Sequence, residues 1–461
     1  MKKALFYIFS FASIVVIFWC SFFVAYGDFK ELKYPDNFSF IEVPDPLSGG
    51  NPVYSLVERK LPAVGESFFD SSFGTILTRV TEKDGIKGRH EYSRFDPFNV
   101  NQSMIILLNP DGLWDVYRTK SYPYNKPANL VVHGSIAEPR WDRKDLNLIW
   151  GEENFSIKTL NVKTGKRTLI KDFSKDPVMG PIIKKEKVYR ITMMDEGEAS
   201  MDNRFWAFFL QGDASTDYKQ HYIFTWDREK NTVLGVYKIA PNETELDWIG
   251  MSPLGTWVLI GGLDNNGGNL AGLTMANKEL TQFHRLDYTT AHSDVGLDIY
   301  GNEVIVMQNT RTDYIDMIPI SFDTEPILEN GGSYENTNRI PLVRLFVSSE
   351  SPLSLQSGVH ISANFPGYCV VSTSIEQGLK EQNWLDRTIT LVKLDPQKPR
   401  VFYLAKVYNT TKEYWEETHA SVTNDGKKVV WASNWGQRIG GDQMLLMQLT
   451  MPPNWTKLLE K

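Results

Sequence analysis

Cysteine is nearly absent from this chain: 461 residues contain two. One of them, Cys20, lies in the apolar N-terminal run, so Cys369 is the only thiol in the rest of the chain. No intrachain disulfide can form there, and stability has to come from core packing. Positive charge is also in short supply. Lys and Arg total 49 against 56 Asp and Glu, a net charge of -7, which argues against a protein whose main partner is the nucleic-acid backbone. The densest basic stretch, Lys184, Lys185, Lys187 and Arg190, is interrupted by Glu186 and is expected to be a solvated loop. Helical periodicity is almost missing: apolar residues rarely recur at i, i+3, i+4 and i+7 with caps at either end. Phosphate-loop, H-E-x-x-H, C-x-x-C and G-x-S-x-G patterns are absent as well, which removes several enzyme classes, serine peptidases among them. The Gly-rich stretch 261–268 has strands on both sides and is expected to be a long turn.

The N-terminus holds what the body lacks, a long hydrophobic run. Lys2 and Lys3 precede residues 4–27, which carry no charge. A cleavable signal has an apolar stretch of about 7 to 15 residues and a membrane span about 20. Residues 1–27 therefore read as a signal peptide or a signal-anchor helix, with the small residues Ala25 and Gly27 before Asp28 offering a cleavage site. In either case the remainder is exported to a periplasmic or extracellular location, and only residues 4–27 contact the membrane. Setting the two lysines aside makes the exported body more acidic than the whole chain. The Asn-x-Ser/Thr sequons are read as chance matches.

The body is a series of short apolar strands split by turns. Residues 103–108 (SMIILL) lead through Asn109-Pro110-Asp111-Gly112 into 113–118 (LWDVYR), and 205–210, 257–260, 304–307, 368–372 and 429–432 have the same character. Each unit is entered through a related tight turn, at 98–102, 141–145, 201–204, 252–255, 298–302, 364–367 and 423–427. Asp, Asn and Gly suit such turns because they tolerate positive φ or bond back to their own backbone. Antiparallel units repeating every 40 to 60 residues or so indicate an all-β protein, a seven-bladed β-propeller of four-stranded antiparallel sheets. Six blades plus a lead-in also fit. The expected division is a lead-in over 28–73 and the propeller over 74–461, with the lead-in lending a strand to a short last blade.

Residues 252–258 (SPLGTWV) and 419–433 (HASVTNDGKKVVWAS) resemble the H-x-S-x-S-P-D-G-x-x-V-x-F-x-S blade of TolB-like propellers. That resemblance implies the fold and leaves function open, because the fold hosts scaffolds, binders and enzymes.

Candidate site residues come from the blade starts. His292, His360 and His419 occupy equivalent places ahead of their turns, where an innermost strand opens on the mouth of the central channel. Imidazole suits transition metals, so these three with Glu416 or Asp294 form a candidate metal set. His90, Glu91, Arg94, Glu138, Arg140, Glu196, Glu198, Asp247 and Trp248 hold the corresponding places in other blades. The histidine set resembles that of oligogalacturonate lyases, which implies a divalent metal such as manganese. Glu416 stands where that family has a glutamine, and Ser421 replaces a family histidine. On that resemblance the metal would acidify a uronate C–H, His90 would take the proton, and Arg94 or Arg140 would steady the anion. The alternative is structural: these histidines hydrogen-bond the neighbouring blade, and the ion pairs fix blade spacing. Trp150, Trp206, Trp257 and Trp431 are expected in the core, Trp248 and Trp435 at face loops as stacking platforms. Two functions follow. One is a binding module whose channel mouth, with Glu91, Glu138, Asp247, Trp248, Asp294 and Trp435, takes a polar ligand such as an oligosaccharide, or another protein. The other is a metal-dependent oligouronide lyase working by β-elimination.

Overall fold

The computed structural model describes residues 31–460 except 49, 84–87, 244, 264–267, 348–357 and 437–443. The expected N-terminal helix and part of the Gly-rich turn lie outside the described residues. Seven antiparallel sheets follow one another along the chain and form a seven-bladed ring: blade 1 (104–132), blade 2 (137–172), blade 3 (188–238), blade 4 (246–287), blade 5 (293–344), blade 6 (359–406) and blade 7 (421–450). Blades 2 to 6 have four strands each. Blade 1 has three, supplemented by an antiparallel bridge between Phe98 and Ile105.

Blade 7 closes the ring. Its strands Ser421–Val422, Lys428–Ser433 and Leu445–Thr450 come from the C-terminal part, and Ile76–Arg79 and Ser67–Phe69 from the N-terminal part are added outside them. The register is continuous, with Leu77 opposite Leu449 and Phe68 opposite Leu77. Leu77, Phe68, Leu449, Met447 and Trp431 pack together in the core of this blade. The lead-in also runs along blade 6. Glu42 bridges Phe402, Val43 N donates to Val401 O at 2.8 Å, and Tyr403 N donates to Ile41 O at 2.9 Å.

Strands such as Met104–Leu108 and Val258–Gly262 are buried at every position. Each blade is sandwiched between two others, so both faces need apolar residues, and the polar/apolar alternation of a one-sided sheet disappears. The aromatic content fills these inter-blade layers: Trp150, Phe173, Trp206, Phe208, Phe224 and Trp226 form one core between blades 2 and 3. Near the axis the blades approach so closely that two inner positions must be glycine. A Cβ on Gly197 would lie 1.8 Å from Ile249 O, and one on Gly296 would lie 2.8 Å from the Ala363 Cβ.

The basic stretch 184–190 differs from the loop expected of it. It ends the helix Met179–Lys185 and begins Val188–Thr192, the innermost strand of blade 3. The buried Met179 and the partly buried Ile182 and Ile183 supply an apolar face that packs on Phe173, and the charges point outward. Arg190 instead turns in to Gln211 Oε1 at 2.7 Å.

Candidate functional site

Four chain segments converge at the end of the channel where the inner strands begin. His292 immediately precedes Ser293–Leu297, His360 lies in Val359–Ser362, and His419 is two residues before Ser421–Val422. Residues 88–95 bring Arg89, His90, Tyr92 and Arg94 across from blade 1. The His360 ring centroid is 4.5 Å from His292 and 3.8 Å from His419. Tyr92 lies 5.7 Å from His360 and 5.4 Å from His419, and Tyr414 is 5.1 Å from His419 and 5.5 Å from His360. The Tyr92 and Tyr414 hydroxyls are 2.7 Å apart. Trp415 adds a sixth ring at 5.3 Å from His419, with the Arg89 guanidinium 3.6 Å over it.

The two outermost rings ride on the turn Tyr414–Glu416. Glu416 holds that turn together: its carboxylate accepts from Lys412 N at 2.7 Å and Glu413 N at 3.0 Å. The carboxylate beside the imidazoles is that of Glu417, which accepts from His360 Nε2 at 2.7 Å. Tyr414 and Trp415 remain 41% and 38% exposed, whereas His360 and His419 are buried beneath them.

Partners fix the protonation of the two buried rings. A carbonyl can only accept, so His419 Nδ1, 2.9 Å from Glu417 O, carries the proton, and Nε2 keeps a lone pair. His360 donates through Nε2 to the carboxylate, and its Nδ1 keeps the lone pair. Among the described residues neither His419 Nε2 nor His360 Nδ1 has a hydrogen-bond partner. Burial pushes all four imidazoles down from the usual histidine value, His90 to about 3 with Arg89 adding to the effect, and the four rings are neutral at pH 7. Burial likewise raises Glu417, and His292 opposes that rise.

The rings come together without forming a shell for one ion. A metal about 2.1 Å from each nitrogen lies about 3.2 Å from each ring centroid, so two ligands about 90–110° apart need centroids about 4.5–5.2 Å apart. The His292–His360 spacing of 4.5 Å meets this, and the His360–His419 spacing of 3.8 Å does not. Among the described residues no group of three or more His, Cys, Asp or Glu is placed to hold a metal. Asp294 is engaged elsewhere: its carboxylate accepts from Val295 N at 2.8 Å and Ala363 N at 2.6 Å, tying blade 5 to blade 6.

Below the rings the channel wall carries paired charges. Arg94, buried, bridges Glu196 Oε2 at 3.0 Å and Ser293 Oγ at 3.0 Å, and its guanidinium lies 4.5 Å over Trp248. Trp248 is buried and donates to Thr290 Oγ1 at 3.1 Å. Arg140 meets Glu91 Oε1 at 2.5 Å and stacks 3.4 Å over Phe95. Glu138 accepts from Thr192 Oγ1 at 2.6 Å and from Met193 N at 3.3 Å, joining blades 2 and 3. Asp247 faces solvent and interacts with Arg94. His90 is 2% exposed and lies against the His419 backbone. Trp435 is buried, stacked 4.0 Å from Tyr408 in the core of blade 7, its Nε1 donating to Arg59 O at 3.0 Å.

Five residues of this cluster were not singled out from the sequence: Arg89, Tyr92, Tyr414, Trp415 and Glu417. The adjacent aromatics of Glu413-Tyr414-Trp415-Glu416-Glu417, directly ahead of His419, were the available signal.

No family model matches the chain, and no curated protein matches it. Solved structures do. An oligogalacturonate lyase in complex with manganese superposes with a TM-score of 0.53 at 12% identity, covering 86% of this chain and 98% of that one. The shared property is the fold. An oligogalacturonate lyase from Vibrio parahaemolyticus gives 0.49 at 12% identity over 85% and 97% of the two chains. TolB from Acinetobacter baumannii gives 0.33 at 13% identity over 69% and 64%. The propeller resemblance read from the blade motifs thus agrees with the architecture.

Proposed function

We propose that the protein is a binding propeller whose channel mouth takes a neutral, polyhydroxylated ligand such as an oligosaccharide. The observation that carries this reading is the ring cluster, in which two half-exposed aromatics stand over neutral imidazoles with unpartnered nitrogens. An aromatic face packs against the C–H face of a sugar ring, and the partly exposed, neutral His292 imidazole can meet hydroxyls without a charge to desolvate. Arg94 and Arg140 are already paired with Glu196 and Glu91, so a uronate carboxylate would find little counter-charge on that wall. The run at residues 4–27 supports an exported protein, either released or anchored. Among the described residues no helix is long and apolar enough to cross a membrane.

Tryptophan fluorescence and calorimetric titration with neutral and uronate oligosaccharides test the reading. Neutral ligands should bind, and Trp415→Ala should weaken them about tenfold, or about 1.4 kcal/mol. Binding that ignores Trp415→Ala, or conversion of a uronate to an unsaturated product absorbing in the near ultraviolet, overturns it and favours the lyase.

A further inference from the structure

Blade 6 shows how this fold covers a long outer edge. Its outermost strand, Arg400–Lys406, carries one extra residue, Leu404, where the pairing with Thr388–Lys393 shifts from Tyr403↔Thr390 to Ala405↔Ile389. The lead-in pairs with the three residues just before that bulge, 401–403, through Ile41 and Val43. Arg400, one residue earlier, fastens the added segment by holding Glu42 at 2.8 Å.

Blade 2 repeats this arrangement without the cover. Its outermost strand Lys166–Asp172 is also seven residues long and also carries one extra residue, Ile170, where Leu169↔Lys158 gives way to Lys171↔Ile157. The equivalent stretch 167–169 is bare, and Lys166 stands where Arg400 stands. No other strand pairs with this edge among the described residues. Residues 163–170 are all exposed, including Leu169 at 52% and Ile170 at 36%. The bare edge is basic, with Lys163, Lys166 and Arg167 together in a chain of net charge -7. Unpaired strand edges accept further strands, and basic residues on an edge repel a second copy of the same edge while attracting an acidic one.

We propose that the edge of blade 2 docks an extended, acidic segment of a partner protein as a fifth strand, with a partner carboxylate on Lys166 as Glu42 sits on Arg400. Backbone hydrogen bonds to 167–169 supply the pairing, Leu169 and Ile170 the apolar contact, and Lys163, Lys166 and Arg167 the selectivity for acidic sequence.

The test uses the full chain and a short fluorescein-labelled peptide alternating valine and glutamate. Anisotropy should report saturable binding, with slowed amide exchange confined to the 166–171 edge. A peptide with lysine replacing glutamate should not bind. The double variant Lys163→Glu, Lys166→Glu changes only exposed side chains and leaves Arg167, which donates to Gly134 O at 3.1 Å, in place, so its melting curve should match wild type, and it should bind at least about tenfold more weakly. No binding up to about 1 mM, equal binding of the lysine peptide, protection elsewhere on the ring, or occupation of the edge by a second copy of the chain overturns the proposal.

Discussion

Replacing His90 with leucine isolates the electrostatic cost of a buried imidazole. His90 is 2% exposed and is held down to about 3 by burial and by Arg89, with its contact to the His419 backbone opposing them. The unfolded chain titrates near 6.5. A histidine whose folded value is depressed leaves stability intact above the unfolded value, and stability falls as pH drops from there toward the folded value. Protons bind the unfolded state in that window and not the native one. Integrating between pH 7 and pH 5 gives about 2 kcal/mol of lost stability from this residue alone. His292, His360 and His419 add acid sensitivity of the same sign, and they remain in His90→Leu, so the difference between the two proteins reports His90. Urea unfolding followed by tryptophan fluorescence at pH 7, 6 and 5 measures it. His90→Leu should gain about 2 kcal/mol on wild type between pH 7 and pH 5. Stability curves that stay parallel to within about 0.5 kcal/mol over that range would mean that His90 is hydrated or paired in solution, refuting the account of a dry, neutral cluster.

Arg94→Met should cost about 3 kcal/mol by chemical denaturation, the low end for breaking a buried pair, because Glu196 keeps partial access to water; a cost under about 1 kcal/mol would show that Arg94 does not hold the channel wall. Leu77→Ala, in the N-terminal strand that closes blade 7, should cost about 3 kcal/mol and move with the global transition in all probes, whereas a separate early transition would show that ring closure is not part of the cooperative unit.

The seven blades were legible because their punctuation is chemical. Each unit is entered through Asp, Asn, Gly or Pro turns, with positive φ at Gly255, Gly301, Gly367 and Gly426. Burial on both blade faces also left unbroken apolar runs that no helix pattern competes with. The strand lent to the last blade was legible only as a deficit, a blade that ended too soon. Its location, Ile76–Arg79 with Ser67–Phe69 outside it, is set by pairing across most of the chain length, which no local pattern records.

The site was legible as a ring of blade starts, and the convergence of His292, His360 and His419 follows from propeller geometry alone. What each residue does there was not, because it depends on which partner wins locally. Glu416 and Glu417 are adjacent and chemically alike, yet one caps a turn and the other meets His360 Nε2 at 2.7 Å. Trp248 and Trp435 both follow a polar residue at a strand end, and both are buried, one under Arg94 and the other against Tyr408. The aromatics left outside are Tyr414 and Trp415, on a short turn with no strand pattern to mark them. The placement of the rings rests on Glu417 and the Tyr92–Tyr414 hydroxyl pair, and those contacts exist only once four blades have closed on one axis.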